Sequence, residues 1–549
     1  MQPVLNVEDV RSVERAFVKE GVSLSELMHR AGGACAQEIE RMGDVESVVV
    51  LVGFGNNGGD GWVAAEDLHN AGIAVTVVSP VPPESLRSDL ALVVAKSAVN
   101  AGVPVVVAPP REKLEDLLYA ADVALDAMLG TGFHGELRAP FDIWIDTVNA
   151  SGARVVAVDV PSGLSAQTGH AISGGVYADV TVTMIALKPG LLADEGRDMC
   201  GSIVIAPLAE QTDRLVADEG PVALRPDPSD YLDVMVPPSS AVDKYTRGSV
   251  LVVAGSARYP GAAIMAARAA ARAGAGYVTL AVPACAAPAI QSHVIEIPVV
   301  PLTCDEAEGT FSADAAPVIA KLAKRSSAVV VGPGMRANAS TVSICSTLLE
   351  CNVPLVMDAD ALNCLARLTS NRLDNFPELI RREAPLVLTP HRRELGRLMG
   401  LPDTPPDSLT SALEASRRIV WADGGSELVI VAKGTATACV GVETALLPKP
   451  GPASLATAGS GDVLSGIIGA LLAHHVPDGE LLPLLCALGC EIHGTAASIA
   501  ADRHGSMGVM ATDIIECVGL AADALERRAA YPPEPFSAVD ENEVGGQNA

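Results

Sequence analysis

The stretch Thr457-Ala458-Gly459-Ser460-Gly461-Asp462 runs directly into an apolar segment, Val463 to Ala473, whose composition predicts a helix. Glycines let a backbone come close to a ligand, and the first turn of a helix offers free N–H groups and a partial positive charge. An anion, most simply a phosphate, suits this place. Asp462 would repel that anion. It either caps the helix or acts as a base that takes a proton from a hydroxyl while the loop holds a phosphate.

The bulk composition narrows the class of protein. The chain has 549 residues, too many for one core, and 49% are hydrophobic, which predicts at least two α/β domains. Its net charge of −28 would repel nucleic acids and anionic membranes, so we expect neither as a partner. The 11 cysteines, with no Cys-x-x-Cys pair, indicate reduced thiols and a cytoplasmic setting. Residues 1–17 do not resemble a signal peptide, and no apolar run looks long enough to span a bilayer.

Alternating apolar strands and helices predict an α/β fold with two three-layer αβα domains around mostly parallel sheets. Residues 1–215 form the first, Rossmann-like domain, in which we expect a helix over 6–42 and another from Trp62 to Asn70. Residues 216–240 are proline-bearing and predict a linker, and residues 241–530 form the second domain. Residues 531–549 lack apolar periodicity and are expected to be a disordered tail.

A glycine-rich run follows the first apolar strand. Gly53-Phe54-Gly55-Asn56-Asn57-Gly58 matches the G-x-G-x-x-G pattern of dinucleotide-binding oxidoreductases, but the acid expected about 20 residues later is missing after Val78. That reading is therefore disfavoured. The full run to Gly61 adds amide and carboxylate groups, whose oxygens suit a hard cation, although a turn that merely closes a strand–helix corner favours the same residues.

Two more loops, Asp126 to Gly132 and Asp159-Val160-Pro161-Ser162-Gly163, also follow predicted strands, so all three loops can converge on one pocket. Together they resemble the NAD(P)H-hydrate epimerase family over roughly residues 1–215, with Phe54 in place of the usual proline. The resemblance implies a K⁺ ion held by Asn57, Asp126 and Ser162. Lys188 also fits the family pattern and could balance charge, or it could be a surface lysine. The implied substrate site comprises Asn56, Asn57, Gly58, Gly59, Asp60, Gly130, Thr131, Gly132, Phe133, His134, Gly135, Glu136 and Asp159, the last also taken as catalytic.

In the second domain, five polar or glycine-rich segments follow predicted strands. Lys433 with residues 434–437 is a candidate phosphate cradle or an ordinary turn. His391 and Glu394 resemble an incomplete metal pair, so His391 is either a substrate contact or a helix cap. Asp358 and Asp360 could hold Mg²⁺ through water, orient polar ligands, or simply begin a helix.

These segments, Tyr-x-Gly-Ala, Gly-Pro-Gly, Asp-Ala-Asp-Ala-Leu, Thr-Pro-His-x-x-Glu and Lys-Gly in that order, resemble the ADP-dependent NAD(P)H-hydrate dehydratase family. The match spans roughly residues 240–528 and implies a ribokinase-like sheet, with Ala458 where the family often has glycine. It implies Asp462 as the catalytic base and Mg²⁺ with ADP as the phosphoryl donor. The implied hydrate contacts are Ala262, Gly334, His391 and Asp462, and the implied nucleotide contacts are Lys433, Gly434, Thr435, Ala436, Thr437 and Gly461.

The two resemblances imply one fused repair enzyme that epimerises hydrated NADH and NADPH and dehydrates the S epimer with ADP. Its partners would be small molecules, and we expect a homo-oligomer. One alternative is a ribokinase-type vitamin or sugar kinase, which would transfer phosphate and stop. Another is a first domain that serves only as a nucleotide-binding or scaffolding module.

Overall fold

The computed structural model describes residues 1–86, 88–235, 247–369, 382–401, 403, 406–422, 427–474, 479 and 481–530. The chain divides into two compact units. The N-terminal unit comprises Gln2–Leu224 with Ser408–Ser411, and the C-terminal unit comprises Arg225–Asp407, the chain from Ala412 onward, and Met1. Within the segment expected to be a linker lie the end of helix Thr212–Glu219, strand Ala223–Arg225 and the 3-10 turn Pro228–Asp233. Residues 236–240 and the expected tail, 531–549, lie outside the described residues.

The N-terminal unit is built on a parallel seven-stranded sheet with helices on both faces. Alternate residues of its strand Ser47–Val52 enter two different apolar cores: Val48, Val50 and Val52 enter one, and Val49 and Leu51 enter the other. A strand buried on both faces needs the continuous apolar run that the sequence has here. Across the sheet the strands lie in the order Val105–Val107, Ala74–Ser79, Ser47–Val52, Val123–Ala127, Arg154–Val158, Val180–Met184 and Ser202–Ala206.

The helices of this unit differ from expectation at two places. The helix expected over residues 6–42 is two helices, because the chain turns at Gly21 with a φ of 98°, a conformation that glycine adopts readily. The helix expected from Trp62 starts at Asn56. The α-helices are Val7–Lys19, Leu24–Arg41, Asn56–Asn70, Asp89–Ala101, Arg111–Tyr119, Phe141–Ala150, Pro189–Leu192, Gly196–Met199 and Thr212–Glu219, with a 3-10 turn at Pro83–Ser85.

The sheet of the C-terminal unit is parallel from Leu428–Ala432 to its far edge and antiparallel at its other end. Its strands lie in the order Ala445–Leu446, Ala438–Val440, Leu428–Ala432, Leu386–Leu388, Leu355–Met357, Ala328–Val331, Ser249–Val253, Tyr277–Pro283 and Val299–Leu302. A separate hairpin pairs Cys304–Asp305 with Thr310–Phe311. The predicted α/β class with two three-layer αβα domains is confirmed.

One helix of this unit is longer and more apolar than any segment expected from the sequence. Leu482–His504 is long and apolar enough to cross a membrane by length and composition, but 78% of its apolar window is buried inside the protein, as in a core helix. The other α-helices among the described residues of this unit are Pro260–Arg272, Ala287–Gln291, Ala316–Ala323, Ala339–Leu349, Asp360–Leu368, Arg392–Leu398, Leu409–Ala422, Ser460–His474 and Ala511–Ala530, with 3-10 turns at Ala313–Ala315 and Ala453–Leu455.

Candidate active sites

The first site lies where the strand order of the N-terminal sheet reverses. Strands Ser47–Val52 and Val123–Ala127 are neighbours in the sheet, yet their connections run to opposite sides. In open parallel sheets, ligands bind outside the carboxyl ends of strands at such a switch point. The glycine-rich run and the Asp126 loop both leave the sheet here.

The glycine-rich run is the start of a helix rather than a free loop. Asn56 to Asp60 form the first turns of Asn56–Asn70, with Gly55 as the N-cap residue. The glycines permit contacts that a side chain would block: a Cβ on Gly61 would lie 2.5 Å from the Ala127 Cβ, and one on Gly58 would lie 2.3 Å from the Gly53 carbonyl oxygen. Helix propensity penalises glycine, but here close packing requires it.

The residues expected to hold K⁺ lie around a buried carboxylate. Asp126 is fully buried and accepts hydrogen bonds from the Ser162 amide at 2.7 Å and the Ser162 hydroxyl at 2.5 Å. Burial raises the pKa of Asp126 to about 6, although the bonds from Ser162 oppose the shift. The Asn57 Oδ1 atom lies 2.9 Å from where a Gly130 Cβ would be, which places the amide beside the same loop.

The side-chain amide of Asn57 shows whether these residues could bind a cation. Its Nδ2 atom is buried and has no hydrogen-bond partner among the described residues. Because the oxygen and nitrogen of an amide exchange places by a half-turn, the opposite orientation would put an oxygen at that position. Together with the Asp126 carboxylate and the Ser162 hydroxyl, this gives an all-oxygen set, which is the donor chemistry of hard cations.

Asp159 forms a buried ion pair with Lys188. The Lys188 side chain is fully buried, and its Nζ atom lies 2.5 Å from Asp159 Oδ1, 2.8 Å from Thr183 Oγ1 and 2.9 Å from the Met184 carbonyl oxygen. The Asp159 side chain remains 15% exposed. Its backbone has a φ of 64°, in the left-handed region. Lys188 is thus no surface lysine, and the carboxylate is the member of the pair that can meet a ligand.

Further acidic side chains surround Asp159. Burial raises the pKa of Asp60 well above its usual range, and the negative charges of Asp159 and Glu14 raise it further. Burial, followed by the charge of Asp159, also raises the pKa of Glu14. No sequence motif singles out Glu14, because it lies on an ordinary amphipathic helix.

The rest of the implied epimerase site is a loop after strand Val123–Ala127. The Phe133 amide donates to the Gly130 carbonyl at 3.0 Å, and Gly132, His134, Gly135 and Glu136 are exposed. At the other side of the helix start, the Ser88 hydroxyl donates to Asn56 Oδ1 at 2.6 Å. The structure therefore gathers these residues at the edge that carries Asp126.

The second site centres on Lys433, which the structure brings to the glycine loop. Its Nζ atom donates to Asp358 Oδ1 at 2.9 Å, and the Lys433 and Asp358 side chains are 21% and 2% exposed. A Cβ on Gly461 would lie 3.3 Å from that Nζ and 3.8 Å from Asp358 Oδ2. Burial lowers the pKa of Lys433, but Asp358, Glu394 and Asp462 outweigh it, so the net shift is upward.

Asp462 lies in the first turn of helix Ser460–His474 and is partly exposed. Its pKa is raised to about 7, first by burial and then by the charge of Asp358, while Lys433 opposes the shift. A carboxylate with a pKa near neutrality can accept a proton and release it again at physiological pH. Asp462 is the third residue of this helix and so lies inside it rather than at the N-cap position before it, and its backbone carbonyl accepts from the Ser465 hydroxyl at 2.9 Å.

His391 takes the capping role that the sequence left open. Its Nδ1 atom accepts from the amides of Arg393 and Glu394 at 3.1 and 3.2 Å, while Glu394 Oε2 accepts from the His391 amide at 2.9 Å. The His391 side chain is still 51% exposed. The backbone of His391 forms an isolated β-bridge with that of Lys433, which places the two residues side by side. Burial and Lys433 lower the pKa of His391, which favours the neutral ring.

Ala262 and Gly334 are brought together as the implied hydrate contacts. A Cβ on Gly334, whose φ is 65°, would lie 2.9 Å from the Ala262 Cβ, and the Gly334 carbonyl accepts from the Ser256 hydroxyl at 2.7 Å. The two acids considered for Mg²⁺ already have partners, since Asp358 pairs with Lys433 and Asp360 Oδ2 accepts from the Arg336 amide at 2.8 Å. We assign neither as a metal ligand.

Two neighbours of this site were missed at the level of sequence. His493, on the buried helix Leu482–His504, lies 3.2 Å from the Ser460 hydroxyl, and burial, then Lys433, lowers its pKa to about 4. The Arg392 guanidinium lies 3.6 Å (Nε) from where a Gly434 Cβ would be, and its Nη2 donates to Thr435 at 3.5 Å. Both lie next to the implied nucleotide cradle, which comprises Lys433, Gly434, Thr435, Ala436 and Thr437.

Comparisons with known proteins match parts of both units of the chain. A family model described as NAD(P)H-hydrate dehydratase matches residues 250–519, and one described as YjeF-related protein N-terminus matches residues 24–190. The bifunctional NAD(P)H-hydrate repair enzyme Nnr of Coxiella burnetii is 33% identical over 92% of this chain and 96% of its own length. The enzyme of the same name from Escherichia coli is 34% identical over 92% and 91%.

Among solved structures, an ADP/ATP-dependent NAD(P)H-hydrate dehydratase from Bacillus subtilis, co-crystallized with ATP and Mg²⁺, is 24% identical. It covers 55% of this chain and 99% of its own chain, with a TM-score of 0.45. The relatives from Coxiella and Escherichia match the present chain across both units at more than 30% identity. The chain therefore belongs to the family of bifunctional NAD(P)H-hydrate repair enzymes.

Proposed function

We propose that the C-terminal unit, within residues 241–530, converts the S epimer of hydrated NADH or NADPH back to the reduced cofactor with ADP. The observation that carries this proposal is a carboxylate of raised pKa, Asp462, one residue from a glycine that lies against the Lys433 ammonium. A base and a phosphate-binding cation at one helix start are the two groups that phosphorylation of an alcohol requires.

The first step is transfer of a phosphoryl group. Asp462 takes the proton of the hydroxyl at C6 of the hydrated ring. The hydroxyl oxygen attacks the β-phosphorus of ADP, and the bond between that phosphorus and the bridging oxygen of AMP breaks. Lys433 and the amides around Gly461 stabilise the charge on the phosphoryl oxygens. Mg²⁺ would be held mainly by the phosphates of ADP and by water, and would offset further phosphate charge.

The second step is elimination of phosphate. Phosphate is a better leaving group than hydroxide, so the lone pair of the ring nitrogen can expel it by breaking the C6–O bond. Loss of a proton from the neighbouring carbon then restores the ring double bond. Ala262, Gly334 and the exposed edge of His391 are the contacts we propose for the hydrate.

We also propose that the N-terminal unit, within residues 1–215, interconverts the R and S hydrates, with Asp159 as the group that moves a proton. Support comes from the partly exposed Asp159 carboxylate held over the buried Lys188 ammonium. The helix start from Asn56 to Asp60 and the loop from Gly130 to Glu136 would bind the substrate. Asn57, Asp126 and Ser162 would hold K⁺, which would fix the loop geometry.

The cellular setting and assembly are proposals as well. All 11 cysteines are free thiols, which supports a reducing, cytoplasmic setting. We propose small-molecule partners only and a homo-oligomeric state.

The test uses the full chain and a mixture of R and S hydrates with ADP, followed by the return of NADH absorbance above an enzyme-free control. Wild type should convert the whole mixture. Asp159→Asn should convert only the S fraction, and Asp462→Asn should convert almost none. Wild-type turnover by Asp462→Asn would refute its role as base, and full conversion by Asp159→Asn would refute its role in epimerisation. A stable phosphorylated product with ATP and a vitamin or sugar alcohol would instead support a kinase.

A further inference from the structure

Asp358 is a buried acid at the centre of the second site. It directly follows strand Leu355–Met357, and its side chain is only 2% exposed, so it is poorly placed to touch a substrate itself. Its Oδ1 atom accepts from Lys433 at 2.9 Å, and its Oδ2 atom lies 3.8 Å from where a Gly461 Cβ would be. Any effect of Asp358 on the reaction must therefore pass through a neighbouring group.

Three acids act electrostatically on Lys433: Asp358, to which its ammonium donates a hydrogen bond, Glu394, and Asp462 in the glycine loop. A lysine side chain is long and flexible, so its ammonium goes to the acid that holds it best. Pairing with Asp358 keeps the ammonium beside Gly461, where a phosphate would meet it. Pairing with Asp462 would instead stabilise the ionised form of the proposed base and make it a weaker acceptor of protons.

We propose that Asp358 is a positioning residue that holds Lys433 at the phosphate site and prevents it from pairing with Asp462. The proposal rests on the proposed role of Asp462 as base. It assigns to one buried carboxylate two linked effects, a preorganised cation for the nucleotide and a base that remains free to take the hydroxyl proton.

The groups that act on Asp462 are consistent with this division. Asp358 and Asp360 raise its pKa, and Lys433 lowers it. Around Lys433 itself lie Glu394, whose pKa burial raises to about 7, and the helix cap His391. His493, beneath Ser460, has its pKa lowered by burial and then by Lys433, so it is neutral near pH 7. Removal of the Asp358 charge would leave Lys433 as the main charge acting on Asp462.

The decisive experiment is the pH profile of S-hydrate dehydration by Asp358→Asn. We expect its acid limb to move to lower pH by roughly one to three units, because the Asp358 charge no longer raises the pKa of Asp462 and Lys433 then pairs with Asp462. We expect kcat/KM for ADP to fall by about 10- to 100-fold, the range for losing one charge-assisted contact. Asp358→Glu should restore part of the rate and the original limb. A merely structural role for Asp358 would lower thermal stability without moving the limb.

A double-mutant cycle with Lys433→Met separates an indirect role from a direct one. If Asp358 acts through Lys433, then Asp358→Asn should change the residual activity of Lys433→Met by no more than about twofold. The double variant also removes both charges of the buried pair, so it should fold even if one single variant does not. As a matched control, Asp360→Asn removes the nearby acid that does not bond Lys433, and its effect should multiply with that of Lys433→Met.

An unmoved acid limb in Asp358→Asn, or an equal fold-loss with and without Lys433, would overturn the proposal. Failure of the proposed function would give a different result: Asp462→Asn would then keep wild-type turnover, with or without a substitution at Asp358.

Discussion

Each of the two sites contains an ion pair between an aspartate and a lysine, but the buried partner is the lysine in one site and the aspartate in the other. In the N-terminal unit, Lys188 is fully buried and Asp159 is 15% exposed. In the C-terminal unit, Asp358 is 2% exposed and Lys433 is 21% exposed. Both pairs lie at the carboxyl ends of parallel strands, but the first presents a carboxylate to the site and the second presents an ammonium.

That inversion matches the chemistry proposed for each site. Moving a proton requires an exposed acid or base, and binding a nucleotide phosphate requires an exposed cation. In each pair the buried partner compensates the charge and fixes the orientation of the exposed one. The charge that faces outward, rather than the presence of the pair, therefore separates the two functions.

The largest expected effect separates the two units within one chain. Asp462→Asn removes the proposed base, so ADP-dependent dehydration of the S hydrate should slow by ~10²–10⁴-fold. Epimerisation, followed by chromatography of the two hydrates, should keep its wild-type rate. Loss of both activities would mean that the units are not chemically independent.

The inverted burial predicts an inverted pattern of stability. Asp159→Asn leaves the fully buried Lys188 without a counter-charge and should reduce the free energy of unfolding by about 3–5 kcal/mol, more than Lys188→Met. In the C-terminal unit the order should reverse. Lys433→Met leaves a buried carboxylate, Asp358, without its partner, whereas Asp358→Asn leaves only the partly exposed Lys433 without one, so Lys433→Met should cost more stability. Denaturant unfolding of the four variants checks both orders, and the same order in both units would contradict the comparison.

The pH dependence of dehydration follows from the raised pKa of Asp462. The base works only when ionised, and its pKa is about 7. As the pH falls below that value, the ionised fraction and hence kcat/KM should drop about tenfold per unit, and above it the rate should level off. A rate that stays flat from pH 7 down to pH 5 would exclude Asp462 as the titrating base.

The smallest expected effect concerns the packing beneath the N-terminal site. A Cβ on Gly61 would lie 2.5 Å from the Ala127 Cβ, so Gly61→Ala should destabilise the protein by about 1–3 kcal/mol through overpacking. Gly152→Ala is the matched control, because a Cβ there meets nothing within 4 Å. Equal melting temperatures for the two variants would show that the helix start can shift to accept a side chain.

The sequence predicted what is local and missed what is formed by folding. Strand-end loops were predictable because apolar runs mark buried strands and ligands bind at their carboxyl ends. The sequence predicts the start of helix Asn56–Asn70 too late, since the run of glycines has low helix propensity and only its contacts reveal why it is helical.

Contacts between distant residues were beyond the reach of the sequence. Lys433 and Asp358 are 75 positions apart, and neither residue type indicates that it will pair with the other. His493 was missed because it lies on an apolar helix with no motif around it. The family resemblance supplied the names of site residues, and the fold supplied the charges and hydrogen bonds around them.

The left-handed backbone of Asp159, with a φ of 64°, affects how substrate complexes should be trapped. Such a conformation costs a non-glycine residue free energy, and asparagine and aspartate tolerate it best. Asparagine at 159 would therefore keep the loop in place while removing the negative charge, whereas alanine would add strain. An Asp159→Asn protein is accordingly the better choice for crystals soaked with the R hydrate. In Asp159→Ala, failure to bind the hydrate could come from a strained and rearranged loop rather than from the loss of the carboxylate.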